Sequence, residues 1–225
     1  MITREISVRT FTQQLILDIW DGYAEKIGPQ QAQIRPQGRL VFELLGQLQG
    51  GQLSEFTKPI RLLVRATQGG YYGFFGEVRL PNGDRRNASF LAPGTYRLRI
   101  SEVDGLYQSV DQDVVLPTPK VPYKIALEPG STYPYLPTST GFRGLVKAAA
   151  LPLAGAHVQV SGFPCSTLTD RAGGWQYYFA EPDSSGAGLP PFVEIVVTHP
   201  ETAVILRRNE VITTRKIVPI ADFTF

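Results

Sequence analysis

The side chains that could act as nucleophiles, bases or metal ligands are few in this sequence. His157 and His199 are the two histidines, and Cys165 is the single cysteine. A Cys–His pair can serve as nucleophile and base, and both residue types are common zinc ligands. Cys165, however, lies in a loop-like Phe-Pro-Cys-Ser sequence without a helix start to activate its thiol, and one cysteine excludes a disulfide framework. We therefore predict a protein that is not an enzyme, with no catalytic, cofactor-binding or metal-binding residues.

Two further patterns resemble ligand sites only superficially. Asp111 and Asp113 alternate along a predicted strand, but calcium needs six or more oxygen ligands and no glycine-bearing acidic loop surrounds them. The glycine-rich run at 69–76 lacks the lysine and the following helix of a phosphate-binding loop. We predict that neither binds a metal or a phosphate.

The same glycine-rich run contains four aromatic residues, which allow two interpretations. Clustered aromatic rings can stack on sugars or anchor a protein partner, and they can also pack into a hairpin core. Phe74 is in phase with Val78 and Leu80, so we predict that it is buried. Tyr71 and Tyr72 are the predicted exposed pair.

Arginines on two predicted strands suggest an interface. Residues 60–66 and 95–101 alternate apolar and polar side chains, so that the arginines of each segment point away from its apolar face. Guanidinium groups pair bidentately with carboxylates, and arginine is enriched at interfaces. If the two strands share a sheet, this face could dock an acidic surface of a neighbouring subunit. The candidate interface residues are Arg61, Arg65, Arg97, Arg99, Tyr71 and Tyr72.

The elements that must position these residues are predicted to be strands. Alternation with a period of two dominates, and the 22 glycines and 18 prolines indicate many turns. Predicted strands outside the two arginine segments lie at 5–9, 14–20, 39–45, 123–127, 142–147, 156–161, 175–179, 192–198, 203–206, 210–214 and 215–220. We predict an all-β fold.

The domain organisation is predicted from a change in composition. Prolines cluster between 117 and 140, which is typical of a semi-rigid connector, and Tyr133 and Tyr135 suggest that it packs against a neighbour. We predict an N-terminal β-sandwich domain at 1–118, a proline-rich connector at 119–140 and a second β-sandwich domain at 141–225.

The second domain resembles a known family. Its motifs are Gly-Leu-Val at 144–146, Pro-Leu-Ala-Gly-Ala-His-Val at 152–158 and Thr-Asp-Arg-Ala-Gly-Gly-Trp at 169–175, with an extra glycine in the last. They resemble the carboxypeptidase regulatory-like domain, over about residues 141–220. The resemblance implies a transthyretin-like β-sandwich that acts as a scaffold and carries no catalytic residues. The motif also implies that Asp170 caps a turn completed by Gly173 or Gly174.

The first domain extends the resemblance. The segment at 91–100 is similar to the penultimate strand of a related Ig-like sandwich, and Tyr-Pro-x-x-Pro occurs at 133–137. This combination is similar to accessory components of phage-tail-like contractile injection particles. The resemblance implies a subunit of a large assembly.

Composition and charge narrow the possible partners. The formal net charge is only +2, so no concentrated basic footprint indicates nucleic acid. No apolar run is long enough to span a membrane, and the start of the sequence lacks an apolar signal core. We expect a cytoplasmic structural subunit or adaptor, on its own or within a particle, that contacts other protein subunits as a homo- or hetero-oligomer. The alternative is an adhesin-like or carbohydrate-binding module that uses exposed aromatics, because sugar binding is not excluded.

Overall fold

The computed structural model describes residues 14–23, 34–67, 69–80, 82–87, 91–117, 121–136, 139–163, 165–179 and 188–225. The protein is all-β, as the alternation predicted. The strand predicted at 5–9 lies outside the described residues.

The described residues divide into two compact units. Unit 1 lies within 14–19, 40–101 and 110–125, and unit 2 within 20–23, 34–39, 102–109 and 126–225. Unit 2 therefore contains most of the predicted proline-rich connector and short segments from the predicted first domain. The division falls within three strands, Leu15–Asp21, Gly94–Glu102 and Tyr123–Leu127, so each unit consists of several chain segments.

Among the described residues, the eight strands between 15 and 127 form one sheet. Its order is β7-β6-β2-β3-β4-β1-β8, and β5 pairs with β4. The strands are β1 (Leu15–Asp21), β2 (Leu40–Gln49), β3 (Gln52–Ala66), β4 (Tyr72–Arg79), β5 (Arg85–Asn87), β6 (Gly94–Glu102), β7 (Val110–Leu116) and β8 (Tyr123–Leu127).

Alternation fixes the two faces of this sheet. Phe42, Leu62 and Val78 are at most 4% exposed, and Phe42 pairs with Leu62, which in turn pairs with Val78. Because successive side chains of a strand point to opposite faces, the residues between them point away from this core. The predicted burial of Phe74 is confirmed, since its side chain is 0% exposed.

Unit 2 contains two further sheets. In one, β9 pairs antiparallel with β10 and β13 and parallel with β16 and β17; the other has the order β12-β11-β14-β15. The strands are β9 (Thr140–Ala148), β10 (Leu151–Pro152), β11 (His157–Val160), β12 (Ser166–Leu168), β13 (Gly174–Phe179), β14 (Phe192–Thr198), β15 (Ile205–Val211), β16 (Ile217–Pro219) and β17 (Phe223–Thr224). Buried side chains of both sheets, including Trp175 and Val197, form one hydrophobic core.

The turn before β13 has the structure that its motif implied. Asp170 Oδ1 accepts hydrogen bonds from the backbone N–H groups of Ala172 and Gly174, both at 2.8 Å. Gly173 adopts a φ of 72°, a left-handed conformation that glycine tolerates best. This confirms that Asp170 caps the turn.

The end of the chain differs from the prediction. The sequence predicted separate strands at 203–206 and 210–214, whereas β15 is one strand. Its interior contains Arg208, which lies on the inward side opposite Ile195 and therefore interrupts the apolar pattern. The guanidinium lies 4.3 Å from the centroid of the Phe223 ring and donates hydrogen bonds to the carbonyls of Ala221 and Asp222. These contacts make an inward arginine compatible with a continuous strand.

Candidate functional site

The outer face of unit 1 contains three arginines that are cross-strand neighbours. Arg61 of β3 lies opposite Arg79 of β4, and Arg79 lies opposite Arg85 of β5. On the other side of Arg61, the register places Glu43 of β2. Directly opposed residues of antiparallel strands project from the same face, so these three side chains form a continuous line that we call the arginine row.

A bulge in β4 creates this like-charge register. Between Val64↔Phe74 and Leu62↔Val78, β4 uses two more residues than β3. Gly76 lies within this bulge with a φ of 83°, a conformation that other residues rarely adopt. If the register of the 64–74 pair continued without the bulge, Arg61 would face Glu77. The bulge places it opposite Arg79 instead, although like charges directly opposite each other are destabilising.

The other predicted interface arginines are each paired within the chain. Arg97 donates to both carboxylate oxygens of Asp113 at 2.8 and 3.0 Å, and Arg99 does so to Asp111 at 2.7 and 2.8 Å. Arg65 Nη2 lies 3.0 Å from a Glu77 carboxylate oxygen. These three guanidinium groups therefore already have carboxylate partners.

The pairing of Arg97 with Asp113 changes the pKa of both groups. The hydrogen bond from Arg97 is the largest cause and lowers the pKa of the Asp113 carboxyl; burial, the next largest, opposes it, and the charge of Arg97 adds a smaller lowering. The same hydrogen bond raises the pKa of Arg97. Bidentate pairs of this kind between β6 and β7 are a cross-strand ladder that holds the edge strand β7 in register.

The arginine row has no such partners. Among the residues that the structure describes, Arg61, Arg79 and Arg85 have no ion pair within 4.0 Å. Arg79 and Arg85 are exposed and Arg61 is half-buried. Sequence reasoning found Arg61 but missed Arg79 and Arg85. The signal that could have found them is the turn-forming sequence Asn-Gly-Asp at 82–84, which lies between β4 and β5 and precedes the strand that carries Arg85.

A shallow cavity of about 230 Å³ adjoins the arginine row. Arg61 and Arg85 of the row line it, together with Arg65 and Glu77. Its lining also includes two half-buried apolar residues that alternate with the buried Phe42 and Leu62 and therefore lie on the arginine-bearing side of the sheet: Val41 and Leu63. The cavity thus combines apolar side chains with a charged rim.

The predicted aromatic pair is divided between two environments. Tyr71 is 38% exposed. Tyr72 is half-buried, and its ring centroid lies 5.8 Å from that of Phe42. The two rings therefore do not form a common exposed platform.

The residues considered for catalysis belong to unit 2. Cys165 packs against the core of unit 2, and His157 is half-buried on β11. The His199 ring accepts hydrogen bonds at Nδ1 from the backbone N–H groups of Glu201 and Thr202. Within the described ranges, no group of three or more His, Cys, Asp or Glu side chains could hold a metal ion.

A second polar cluster, which sequence reasoning missed, lies within unit 2. The Asp21 carboxylate is 4% exposed and accepts hydrogen bonds through Oδ2 from the hydroxyls of Tyr107 and Tyr133, at 2.8 and 2.7 Å. Its Oδ1 accepts from the backbone N–H of Tyr23. The rings of Tyr23, Tyr133 and Tyr135 pack edge to face, with centroids 5.0–5.4 Å apart. We call these residues, with Tyr178, the tyrosine cluster.

Burial dominates the electrostatics of the tyrosine cluster. Desolvation is the largest cause that raises the pKa of Tyr107 and of Tyr133, and the hydrogen bonds that these two phenols donate to Asp21 raise the pKa values further. Burial likewise raises the pKa of Tyr135 and Tyr178. These four phenols are therefore held in their neutral form.

Comparison with known proteins adds no family. A scan against protein-family models and a search of curated proteins each found no match to this chain. In the part of the chain that the structure describes, no helix has the length and apolar character needed to cross a membrane.

Proposed function

We propose that this chain is a non-catalytic structural subunit or adaptor of a large protein assembly, and that the arginine row docks an acidic surface of a neighbouring subunit. The arginine row carries this proposal. Three guanidinium groups in direct cross-strand register repel one another. Glu43 lies opposite Arg61 and flanks the row, but no described carboxylate forms an ion pair with its arginines within 4.0 Å. A partner that supplies carboxylates would relieve this repulsion.

The proposal divides the predicted interface residues into two groups. Arg65, Arg97 and Arg99 already pair with carboxylates of their own chain, so their charge is largely neutralised before a partner arrives. Arg61 belongs to the arginine row, and we add Arg79 and Arg85 to the docking surface. The cavity beside them gives the interface an apolar anchor point.

The proposed architecture is two β-sandwich domains, the second of the carboxypeptidase regulatory-like type. Two observations support it. The inward side chains of the two sheets in unit 2 share one core, and the Asp170 turn has the form that the family motif implies. A particle of the phage-tail-like contractile type is the assembly that the sequence resemblance favours, and we propose that the chain functions in the cytoplasm or within that particle.

The test compares two charge reversals, on neighbouring strands, at opposite faces of the sheet. Arg79→Glu changes the centre of the arginine row. Arg86→Glu is the matched control, because Arg86 pairs with Val78 and therefore lies on the other face, while it is also exposed. In lysate of the native host, size-exclusion chromatography should show wild type and Arg86→Glu in a large assembly and Arg79→Glu at the size of the free chain.

Circular dichroism spectra and melting temperatures establish that both variants are folded. Removing one member of a like-charge row should leave the stability of Arg79→Glu unchanged or slightly higher. If folded Arg79→Glu enters the large assembly to the same extent as wild type, the arginine row does not dock this chain and the proposal is wrong.

A further inference from the structure

We infer that the partner presents an acidic α-helix, which lies across β3, β4 and β5 so that its carboxylates face the arginine row. This inference rests on the proposed docking function and specifies the partner's secondary structure and charge pattern. It follows from the register of three strands, from strand and helix geometry, and from the cavity beside the row.

Spacing is the first argument. Arg61, Arg79 and Arg85 occupy three adjacent strands in direct register. Neighbouring strands are about 4.8 Å apart, so the row extends roughly 9.6 Å across the sheet. A helix rises about 1.5 Å per residue, so acidic residues at i, i+4 and i+7 lie on one face and extend roughly 10.5 Å along its axis. The length of the arginine row and the length of the three-glutamate pattern on a helix therefore agree within about 1 Å.

An extended partner fits the same row poorly. Along a strand, side chains on one face recur about every 6.7 Å, so three carboxylates would extend roughly 13.4 Å. Such a strand could place two carboxylates on the row, and the third would lie beyond it. The interstrand spacing of the arginines therefore selects a helical acidic pattern over an alternating one.

The cavity supplies the second argument. Val41 and Leu63 line it on the arginine-bearing side of the sheet, and Glu77 lies at its rim. Apolar lining favours an apolar side chain, and the charged residues Arg65 and Glu77, which also line the cavity, are already paired with each other. On the partner helix, an apolar residue three or four positions from an acidic one lies on the same face and can enter the cavity. We therefore expect an acidic helix face with one apolar residue.

The experiment uses the full chain and three labelled peptides of identical composition. The helical peptide carries glutamate at i, i+4 and i+7 and leucine at i+3. The dispersed peptide has the same residues with the glutamates distributed around the helix. The alternating peptide places the glutamates at i, i+2 and i+4. Fluorescence anisotropy measures the dissociation constant of each at low and at high ionic strength.

We expect the helical peptide to bind at least about tenfold more tightly than the other two, since several exposed ion pairs add to one apolar contact. High salt should reduce this difference because exposed charge pairs are screened. Arg79→Glu should weaken binding of the helical peptide about tenfold, whereas Arg86→Glu should leave it unchanged. Replacing the peptide leucine by serine should weaken binding as well.

The outcomes separate this inference from the proposed function. If Arg79→Glu loses the large assembly but the three peptides bind equally, or none binds, the docking function stands and the helical partner is wrong. If Arg79→Glu is retained in the assembly, the docking function itself fails. If a single-stranded oligonucleotide of equal charge displaces the helical peptide as well as excess unlabelled peptide does, the row is a general polyanion site and the inference is overturned.

Discussion

Removing one hydroxyl from the tyrosine cluster tests whether residues of the predicted proline-rich connector are a folded part of unit 2. The change is Tyr133→Phe, which keeps the ring and its edge-to-face contacts with Tyr23 and Tyr107. It removes the hydrogen bond from the Tyr133 hydroxyl to Asp21 Oδ2 at 2.7 Å. A connector that is only a tether would be insensitive to this change.

The expected magnitude follows from the charge and burial of the acceptor. A hydrogen bond to a charged group contributes about 1.5–3 kcal/mol, more than a bond between neutral groups. Asp21 retains the Tyr107 hydroxyl and the Tyr23 backbone N–H after the substitution, so its carboxylate keeps two partners. We therefore expect the lower end of the range, a loss of about 1.5–2 kcal/mol in the free energy of unfolding.

The matched control is Tyr135→Phe. Tyr135 belongs to the same cluster and is also half-buried, but its hydroxyl has no hydrogen-bond partner among the residues that the structure describes. Removal of the Tyr135 hydroxyl should change the free energy of unfolding by no more than about 0.5 kcal/mol. Urea denaturation, followed through the fluorescence of the buried Trp175, gives this free energy for each variant.

Two results would refute the reasoning. Wild-type stability of Tyr133→Phe would show that the hydrogen bond to Asp21 contributes nothing. An equal loss in both variants would show that the hydroxyls act through general packing and that the buried carboxylate is not the cause.

The remaining predictions concern the Asp170 turn and alkaline pH. Gly173→Ala should destabilise the fold by about 3 kcal/mol or more, because the φ of Gly173 is 72° and the added Cβ would collide with the Val146 carbonyl. The control Gly162→Ala, at a φ of 86° in open space, should lose only about 1–2 kcal/mol in the same denaturation assay. Equal losses in the two variants would contradict the collision. Above about pH 10 the unfolded chain loses phenol protons that the folded chain retains. With rising pH, the free energy of unfolding should therefore fall by about 1.4 kcal/mol per pH unit for each retained proton. Ultraviolet titration should show that fewer of the ten tyrosines ionise in the folded protein at about pH 11 than in urea. Ionisation of all ten without unfolding would contradict this. The phenols whose pKa is raised by burial are Tyr96, Tyr107, Tyr133, Tyr135, Tyr177 and Tyr178.

Local patterns were sufficient to predict the all-β fold and several of its faces. The alternation at 95–101 placed Leu98 in the core and Arg97 outside it, and both positions agree with the structure. The strand at 192–198 and the capped Asp170 turn were also predicted from short segments. These features depend on neighbours within a few residues, which is the range over which a strand or a turn is specified.

Partner choice among charged residues could not be predicted in this way. The sequence shows that Arg61, Arg97 and Arg99 point outward, but not which strands lie beside theirs. The pairing of β6 with β7 gives Arg97 and Arg99 their carboxylates, whereas the pairing of β3 with β4 gives Arg61 a second arginine. The strands that carry the four predicted arginines do share one sheet, but Arg65, Arg97 and Arg99 have carboxylate partners within the chain. The sequence did not show that Arg61 would lie beside two further arginines.

The sequence by itself determined that this chain forms strands, which face of most strands is apolar, and that classical catalytic and metal-binding motifs are missing from it. Tertiary structure decided which charges meet. The bulge at Gly76 moves Arg61 from Glu77 to Arg79, and the fold of unit 2 brings Tyr107 and Tyr133 to Asp21 from more than 80 residues away along the chain. Both depend on register and long-range closure, which are set by the packing of whole sheets and have no signature in a short window of sequence.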